Sequence, residues 1–274
     1  MELKQIQDIE VQLLIKALYL RYGYDFSNYA TASLRRRILQ CLSSCEFSHI
    51  SEIIPQLLHE GRFHRRLIFE LSVTVTEMFR DPYVFKALRT HVIPHLKTFP
   101  FVNIWIAGCA TGEEVYSLAI LLHEEGIYDR VRIYATDFND EALQQAQEGV
   151  FPAGKMAAYG TNYQKAGGTG SLSDYYHARY DLARMDAALK ENIVFANHNL
   201  VGDAVFCETE LIMCRNVMIY FNRKLQDTVF ELFTESLSHG GFLCIGTRES
   251  LQFSSVATQF QEIRNRERIY QKKK

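Results

Sequence analysis

The segment from residue 102 to residue 137 limits the fold more strongly than any other feature of the sequence. Its first strand-like run is "VNIWIA", its turn of small residues is "GCATG" at 108–112, and its second strand-like run is "VRIYATD". Between the turn and the second run lies an apolar helical pattern that opens with Glu113 and Glu114. Strands separated by helices of this length pair in parallel through right-handed crossovers. The segment therefore predicts the beginning of an open, mostly parallel α/β sheet.

The alternation of strand-like runs and helices continues to the C-terminus, through "NIVFANHNL", "ELIMCRNVMIYF", "GGFLCIG" and "RIYQKK". Residues 1 to about 70 differ, because they contain only helical patterns with apolar residues three and four positions apart. Gly23 and Gly61 are candidate helix stops. A chain of 274 residues is long enough for two unequal units. We predict a small helical bundle followed by an α/β domain.

Residues 151–191 separate the second and third strand-like runs and are rich in Gly, Ala and Tyr. A structureless loop of this length is unusual inside a compact domain. We therefore expect a short helix and one or two strands in this stretch, around "DYYHARY".

Composition excludes several classes of protein. Hydrophobic residues make up 47 % of the chain and the net charge is -2, which is typical of a globular protein and gives no bulk attraction for nucleic acid. No apolar run approaches the roughly 18 residues of a membrane span, and the N-terminus lacks a signal-peptide core. We expect a cytoplasmic protein that neither enters the membrane nor binds nucleic acid. Cys41 and Cys45 lie one helical turn apart without further ligands at zinc spacing, so we predict reduced cysteines and no metal site.

The turn at 108–112 has small residues that let a ligand approach the backbone and the amide groups of the following helix. Glu113 and Glu114 would repel a phosphate bound at that helix start. The turn also lacks the GxGxxG and GK[ST] spacings. These features disfavour a dinucleotide and a nucleoside triphosphate.

Asp137 ends the second strand, where an acidic residue can accept the hydroxyls of a ribose. A nucleoside that carries positive charge and no phosphate would suit this site, and S-adenosylmethionine has that chemistry. On this pattern alone, an ordinary α/β protein with an aspartate at a strand end remains an alternative.

Six motifs carry a resemblance to a known family. They are "SVTVTEMFRDPYVF" (72–85), "IWIAGCATGEEVYSLAI" (104–120), "IYATDFNDEALQQAQEGVF" (133–151), "HNL" (198–200), "LIMCRNVMIYF" (211–221) and "GGFLCIGTRESL" (240–251). In this order they resemble the CheR-type chemoreceptor glutamate O-methyltransferases, and the match spans most of the chain.

The resemblance implies a division of the chain and a cofactor. Residues 1–72 would form an all-helical receptor-docking domain, and residues 73–100 a linker that contributes to the cofactor pocket. Residues 101–274 would form a Rossmann-like methyltransferase domain with a mostly parallel seven-stranded sheet. A small antiparallel β subdomain would be inserted at about 151–191. The cofactor would be S-adenosylmethionine and the product S-adenosylhomocysteine.

The resemblance also implies roles for individual residues. Glu114, with Glu113 beside it, would hold the methionine moiety, Asp137 the ribose, and Tyr220 would face the reacting methyl group. The catalytic residues would be Arg80, Arg215 and Tyr220. The cofactor pocket would contain Thr74, Thr76, Arg80, Gly108, Glu113, Glu114, Asp137, Phe138, Asn199, Leu200, Arg215 and Asn216.

A glutamate side chain is a substrate that needs no general base, because its pKa of about 4.3 leaves it ionised at neutral pH. Catalysis must then come from orientation and electrostatics in a direct in-line transfer. Arg80 and Arg215 are suited to orient carboxylates, and the sequence leaves open which one orients the substrate and which the cofactor. Strand alternation in "VMIYF" would place Tyr220 and Phe221 on opposite faces, with Phe221 in the core.

The basic run Arg35, Arg36 and Arg37 has two interpretations. A solvated helix face is the ordinary one. The resemblance favours docking to the acidic cytoplasmic helices of methyl-accepting chemoreceptors, which would recruit the protein to membrane receptor arrays. Consecutive helical residues cannot all share one face. The hairpin region "DYYHARYDLARM" has no glycine at its turn, so we expect docking without a tether at the receptor C-terminus.

The function predicted from the sequence is protein-glutamate O-methylation of chemoreceptors. One alternative is methyl transfer to a nucleic acid or small molecule, which the absence of an NPPY-type strand end and of an aromatic-interleaved basic stripe disfavours. The other is a non-catalytic protein that binds the cofactor or a receptor. The presence of Arg80, Asp137, Arg215 and Tyr220 argues against it.

Overall fold

The computed structural model describes residues 3–72 and 74–274, and the chain divides into two compact units. The first unit contains Met1–Val73 and Tyr220–Thr228, and the second contains Thr74–Ile219 and Val229–Lys274. Residues 1, 2 and 73, at the ends of the predicted segments 1–72 and 73–100, lie outside the described residues. Residues 74–100, predicted as a linker, group with the second unit.

Helices form the N-terminal part of the first unit, as predicted. They are α1 (Leu3–Tyr22), α2 (Thr31–Ser44), α3 (Ile53–His59) and α4 (Phe63–Leu71). On α1 the buried residues Val11, Leu14 and Leu18 are three and four positions apart, so they lie on one face. Cys41 is fully buried on α2, whereas Cys45 just after the helix is partly exposed. Within the described ranges, none of the helices is long and apolar enough to cross a membrane.

The segment Tyr220–Thr228 belongs to the first unit, where it pairs with the residues that precede α2. The backbone N–H of Ala30 donates to the carbonyl of Tyr220 at 2.7 Å. Tyr29 and Phe221 form an antiparallel bridge, and their ring centres lie 5.0 Å apart. Phe221 is only 6 % exposed, which confirms the prediction that it is a core residue.

Ten strands form two sheets in the second unit. The strands are β1 (Val102–Ala107), β2 (Val131–Asp137), β3 (Val150–Pro152), β4 (Tyr176–Arg179), β5 (Leu182–Met185), β6 (Ile193–Asn197), β7 (Thr209–Cys214), β8 (Leu237–Ile245), β9 (Phe260–Arg264) and β10 (Ile269–Lys272). The large sheet has the order β6-β2-β1-β7-β8-β10-β9, with β10 antiparallel to both of its neighbours and the other pairs parallel. The predicted seven-stranded, mostly parallel sheet is confirmed. The sequence pattern did not identify β9.

The remaining helices are α5 (Pro82–Ala87), α6 (Ile93–Leu96), α7 (Glu113–Glu124), α8 (Asp140–Glu148), α9 (Met156–Lys165) and α10 (Arg223–Ser236), with a π-helical turn over Leu88–Val92. The middle of α7 is buried all round, as expected for a helix that covers a parallel sheet. Trp105 on β1 is fully buried, and its Nε1 donates to Oγ1 of Thr136 at 2.8 Å. This bond satisfies the polar atom of the largest core side chain.

The inserted segment has the predicted small elements. The three-stranded antiparallel sheet β3-β5-β4 and helix α9 lie within 150–185. The β4–β5 hairpin turns at Tyr180 and Asp181, and Tyr180 takes the left-handed conformation with φ of 55°. The turn therefore forms without glycine.

One strand prediction was wrong. The run "ELIMCRNVMIYF" does not stay extended, because β7 ends at Cys214 and Met218–Tyr220 form a 3₁₀ turn. Asn216 has φ of 61°, a left-handed conformation that does not continue the extended backbone of the strand. Strand alternation therefore does not decide where the side chain of Tyr220 points.

Candidate active site

Three parallel strands end side by side where the strand order of the large sheet reverses. β1 lies between β2, which is the next strand along the chain, and β7, which comes much later in the chain. In open α/β sheets such a switch point forms a crevice beyond the carboxyl ends of the strands, where ligands bind. The residues after Ala107, Asp137 and Cys214 therefore line the candidate site.

The turn after β1 needs its glycines for its own geometry. Gly108 has φ of +76° and Gly112 has φ of +93°, which glycine adopts without strain. A Cβ atom at Gly108 would lie 2.5 Å from Cγ2 of Val217, and one at Gly112 would lie 2.9 Å from Cβ of Ala146. Backbone conformation and packing thus explain both glycines without a ligand, and a cofactor contact at Gly108 stays a prediction.

Asp137 joins the end of β2 to this turn. Its Oδ2 accepts from the N–H of Ala110 at 2.9 Å, and its Oδ1 accepts from the N–H of Asn139 at 3.0 Å. Burial raises the pKa of Asp137, although these hydrogen bonds act in the opposite direction. A carboxylate can accept about four hydrogen bonds. Both oxygens therefore keep capacity for the hydroxyls of a ribose.

The segment after β6 lies beside the same aspartate. The N–H of His198 donates to the carbonyl of Asp137 at 3.1 Å. Asn197, at the end of β6, donates from Nδ2 to the carbonyl of Phe138 at 3.2 Å. These two bonds bring the end of β6 to the end of β2, where Phe138 follows Asp137. That Phe138, Asn199 and Leu200 surround an adenine stays a prediction.

Glu113 lines a cavity of about 340 Å³ that also contains the predicted residues Thr74 and Thr76. The side chain is almost fully buried, and it accepts from Oγ1 of Thr111 at 2.6 Å and from the hydroxyl of Tyr159 at 3.3 Å. Burial raises the pKa of Glu113. A second carboxylate at this edge of the sheet is therefore withdrawn from water.

Arg215 follows β7 and binds two carboxylates of the protein. Its side chain is fully buried, with Nη1 2.6 Å from Oε2 of Glu114 and Nη2 2.8 Å from Oδ2 of Asp81. Nη2 also donates to the carbonyl of Arg80 at 3.0 Å. Burial alone would lower the pKa of Arg215, but the charges of Glu114 and Asp81 raise it. The guanidinium therefore stays charged, and both of its terminal nitrogens, Nη1 and Nη2, already bind a carboxylate of the protein.

Arg80 differs from Arg215, because among the described residues its guanidinium has no carboxylate partner. Its Nη1 lies 3.4 Å from the carbonyl of Val75, and the side chain is partly exposed. Phe79 and Asp81 on either side have φ of 53° and 54°. Such left-handed conformations cost on the order of 1–3 kcal/mol each and persist where the surroundings enforce them. The backbone is thus held in a strained shape on both sides of Arg80.

Glu249 is a residue of this region that the sequence patterns did not identify. It lies in the loop after β8 and is only 5 % exposed. Its carboxylate accepts from backbone N–H groups of Asn216 and Ile219, in the turn that follows Arg215. A glutamate in the polar loop "GTRESL" gives no local signal of burial, so only the structure could find it.

The three arginines of α2 have different surroundings. Arg36 is exposed. Arg35 lies 3.4 Å from Oδ1 of Asp8, and Arg37 donates to the carbonyl of Ser72 at 2.8 Å. Burial lowers the pKa of Arg37. The expectation that consecutive arginines do not share one face is confirmed, and Arg36 is the one that is open to solvent.

Tyr220 lies in the first unit, and its ring centre is 5.9 Å from the guanidinium carbon of Arg37. The two side chains are within cation–π distance. That its hydroxyl faces a transferred methyl group stays a prediction.

The cysteines at the sheet edge are buried and poorly suited to form a thiolate. Cys109 and Cys214 are buried, and burial raises the pKa of each thiol well above its usual value. The six cysteines are all free, as predicted. Across residues 3–72 and 74–274, no group of three or more His, Cys, Asp or Glu side chains is placed to hold a metal ion.

Comparison with known proteins gives two family matches in chain order. The model of the CheR methyltransferase all-alpha domain matches residues 9–72, and the model of the CheR methyltransferase SAM binding domain matches residues 74–269.

Similar proteins are found in several bacteria. A Pseudomonas putida protein named "Putative methyltransferase Cher3" is 48 % identical, over 97 % of this chain and 97 % of its own. The "Chemotaxis protein methyltransferase" of Borreliella burgdorferi is 30 % identical, over 89 % of this chain and 88 % of its own. Among solved structures, one match is the N-methyltransferase NodS of Bradyrhizobium japonicum in complex with S-adenosylhomocysteine. The match covers 73 % of this chain and 90 % of the NodS chain. Its identity is 12 % and its TM-score 0.42.

Proposed function

The chain belongs to the CheR methyltransferase family, whose cofactor is S-adenosylmethionine, and from that premise we propose that it methylates glutamate side chains of chemoreceptors. Relatives that span most of the chain are named chemotaxis protein methyltransferases, which supports this acceptor. The structural observation that carries the methyl-donor part of the proposal is the group of carboxyl side chains at the carboxyl edge of the sheet. Glu113, Glu114 and Asp137 surround one turn, and two of them are held there against the cost of burial.

This acidic edge suits the family's cofactor. Burial disfavours the ionised forms of Glu113 and Asp137, so a bound cation would offset part of that cost. S-adenosylmethionine carries a sulfonium and an ammonium, and when bound it supplies an electrophilic methyl group. We assign Asp137 to the ribose hydroxyls and Glu114, with Glu113, to the amino-acid end. Other residues would line the pocket: Thr74, Thr76, Gly108, Phe138, Asn199, Leu200 and Asn216.

The two arginines have different roles in this proposal. Arg215 is bound to Glu114 and Asp81, so it orients Glu114 toward the cofactor and does not meet the substrate. Arg80 has a guanidinium without a carboxylate partner among the described residues, so it orients the incoming glutamate. The carboxylate is already ionised, and the chain accelerates an in-line transfer by positioning it. Tyr220 is assigned to the methyl group on the family resemblance alone.

Receptor docking is assigned to α2. Arg36 is exposed, whereas Arg35 and Arg37 are held by neighbours within the first unit, so Arg36 is the main contact for acidic receptor helices. The β4–β5 turn lacks glycine, which favours docking without a C-terminal receptor tether. The enzyme would then act in the cytoplasm, recruited to receptor arrays by the receptor itself.

The test is a methylation assay with S-adenosylmethionine carrying a labelled methyl group and a chemoreceptor cytoplasmic fragment. A glutamate methyl ester releases its label as methanol in mild base, whereas N-methyl groups do not. We expect base-labile label on the receptor, and none on a fragment whose methylatable glutamates are replaced by alanine. Label that resists base, or that appears only on another acceptor, would overturn the proposal.

A further inference from the structure

Glu249 clamps together the two loops that follow β7 and β8. Its Oε2 accepts from the N–H of Gly246 at 2.5 Å and of Asn216 at 3.3 Å, and its Oε1 accepts from the N–H of Ile219 at 3.1 Å. The N–H of Met218 also bonds to this carboxylate. Four backbone donors from two loops therefore converge on one buried side chain.

The approach of the two loops is close at Gly246. A Cβ atom there would lie 2.6 Å from Oε2 of Glu249 and 2.7 Å from the backbone nitrogen of Asn216. Contacts this short do not occur for real Cβ atoms, so the glycine is needed for the clamp to close. Gly246 does not have a positive φ. The position therefore requires glycine because a side chain would not fit there, and not because of the backbone conformation.

The clamped turn is strained and begins at Arg215. Asn216 has φ of 61°, a conformation that persists only when its surroundings enforce it. The carboxylate of Glu249 accepts from Asn216 itself and from two residues beyond it, which fixes the turn at several points. This turn also fixes the backbone direction at Arg215, just after β7. The backbone direction determines where the guanidinium of Arg215 contacts Glu114 and Asp81.

We infer that Glu249 is a positioning residue for the cofactor site, acting through the turn 216–219 and Arg215 on Glu114. In this role Glu249 acts through the protein and not by contact with the cofactor or the substrate. The inference rests on the cofactor site of the proposed function, but not on the identity of the methyl acceptor.

Glu249→Gln is the direct test. Glutamine keeps one acceptor oxygen, but its amide group must face at least one backbone N–H, whichever way it is turned. Calorimetric titration with S-adenosylhomocysteine measures the dissociation constant and the stoichiometry separately. We expect the dissociation constant to rise by about tenfold at unchanged stoichiometry. Glu262→Gln, at an exposed position on β9, is the matched control and should bind like the unchanged protein.

Two outcomes would overturn the inference. One is an unchanged dissociation constant in Glu249→Gln. The other is a lower stoichiometry with an unchanged dissociation constant, which would mean that Glu249 only helps the chain to fold. Binding of S-adenosylhomocysteine needs no methyl acceptor. A failure to methylate receptors would therefore contradict the proposed function without affecting the interpretation of the binding experiment.

Gly246→Ala tests the same clamp if the glutamine variant does not fold. It keeps the charge of Glu249 but forces the backbone of Asn216 to move. We expect weaker S-adenosylhomocysteine binding at full stoichiometry here too, and unchanged affinity would contradict the inference. Gly61→Ala is its control, because a Cβ atom at Gly61 meets nothing within 4 Å.

Discussion

The guanidinium of Arg215 and the carboxylate of Glu114 form a buried ion pair, with Nη1 2.6 Å from Oε2. The pair joins the residue after β7 to the first turn of α7. Since Asp81 occupies the other arm of the guanidinium at 2.8 Å, Arg215 gathers three separate parts of the chain at the edge of the sheet. Arg80 differs, because its guanidinium has no carboxylate partner among the described residues.

Arg215→Ala should destabilise the protein strongly. Removing one member of a buried ion pair leaves the others unpaired, which costs about 3–5 kcal/mol. Urea denaturation measures the change in the free energy of unfolding. Lys97→Ala is the control, because Lys97 and its partner Glu125 are partly exposed and its loss should cost at most about 1 kcal/mol. Equal effects of the two substitutions would contradict the buried role of Arg215.

Asp137→Asn should weaken S-adenosylhomocysteine binding while the turn survives. Asparagine can still accept one hydrogen bond from Ala110 or Asn139, but it loses the charge and one acceptor for the ribose. We expect the dissociation constant from calorimetry to rise by about tenfold or more. Asp129→Asn, at an exposed position, should leave it unchanged. Full affinity in Asp137→Asn would remove this residue from the cofactor site.

Arg80→Ala should separate catalysis from cofactor binding. If Arg80 orients the substrate glutamate, its loss lowers kcat/KM for the receptor by about 10- to 100-fold and leaves S-adenosylhomocysteine affinity nearly unchanged. Initial rates at varied receptor concentration, together with calorimetry, give both quantities. Arg132→Ala on β2 is the control. An equal loss of cofactor affinity would instead assign Arg80 to the cofactor.

Arg36→Glu should weaken the interaction with the receptor, whereas Arg37→Glu should destabilise the fold. Arg36 is exposed, so reversing its charge should raise KM for the receptor, most strongly at low salt, with stability unchanged. Arg37 donates to the carbonyls of Glu70 and Ser72, so its replacement should lower the thermal unfolding temperature. Receptor titrations at two ionic strengths and a melting curve distinguish them. Identical behaviour would mean that the two arginines share one role.

Cofactor binding should depend on pH through the buried carboxylates. Burial raises the pKa of Glu113 and of Asp137, and a bound cation would lower both. Between the lowered and raised values, the free protein holds protons that the complex does not, so binding releases protons. The affinity for S-adenosylmethionine should therefore fall as pH falls through a window above the ordinary carboxylate pKa of about 4. Calorimetry in two buffers with different ionisation enthalpies counts the protons, and uptake on binding would contradict this account.

Much of the fold follows from local patterns. Apolar residues three and four apart predict α1 to α4, and short β-rich runs predict β1, β2, β6 and β8, because each of these patterns lies within its own segment. Strand β9 and the end of β7 were not predicted correctly. At β7, the strand-like run continues past Cys214, and nothing local shows that the backbone becomes left-handed at Asn216.

The sequence by itself indicated the class of ligand. A small-residue turn, two glutamates at a helix start and an aspartate at a strand end favoured a nucleoside without phosphate, and the six ordered motifs identified the family and its cofactor. The tertiary structure alone decided which charges meet. That Arg215 binds Glu114 and Asp81, that Arg37 binds the carbonyl of Ser72, and that Glu249 is buried all depend on segments far apart in the chain. Local periodicity shows which face of a segment is buried, but the partner of a charged side chain is set by the tertiary packing that brings distant segments together.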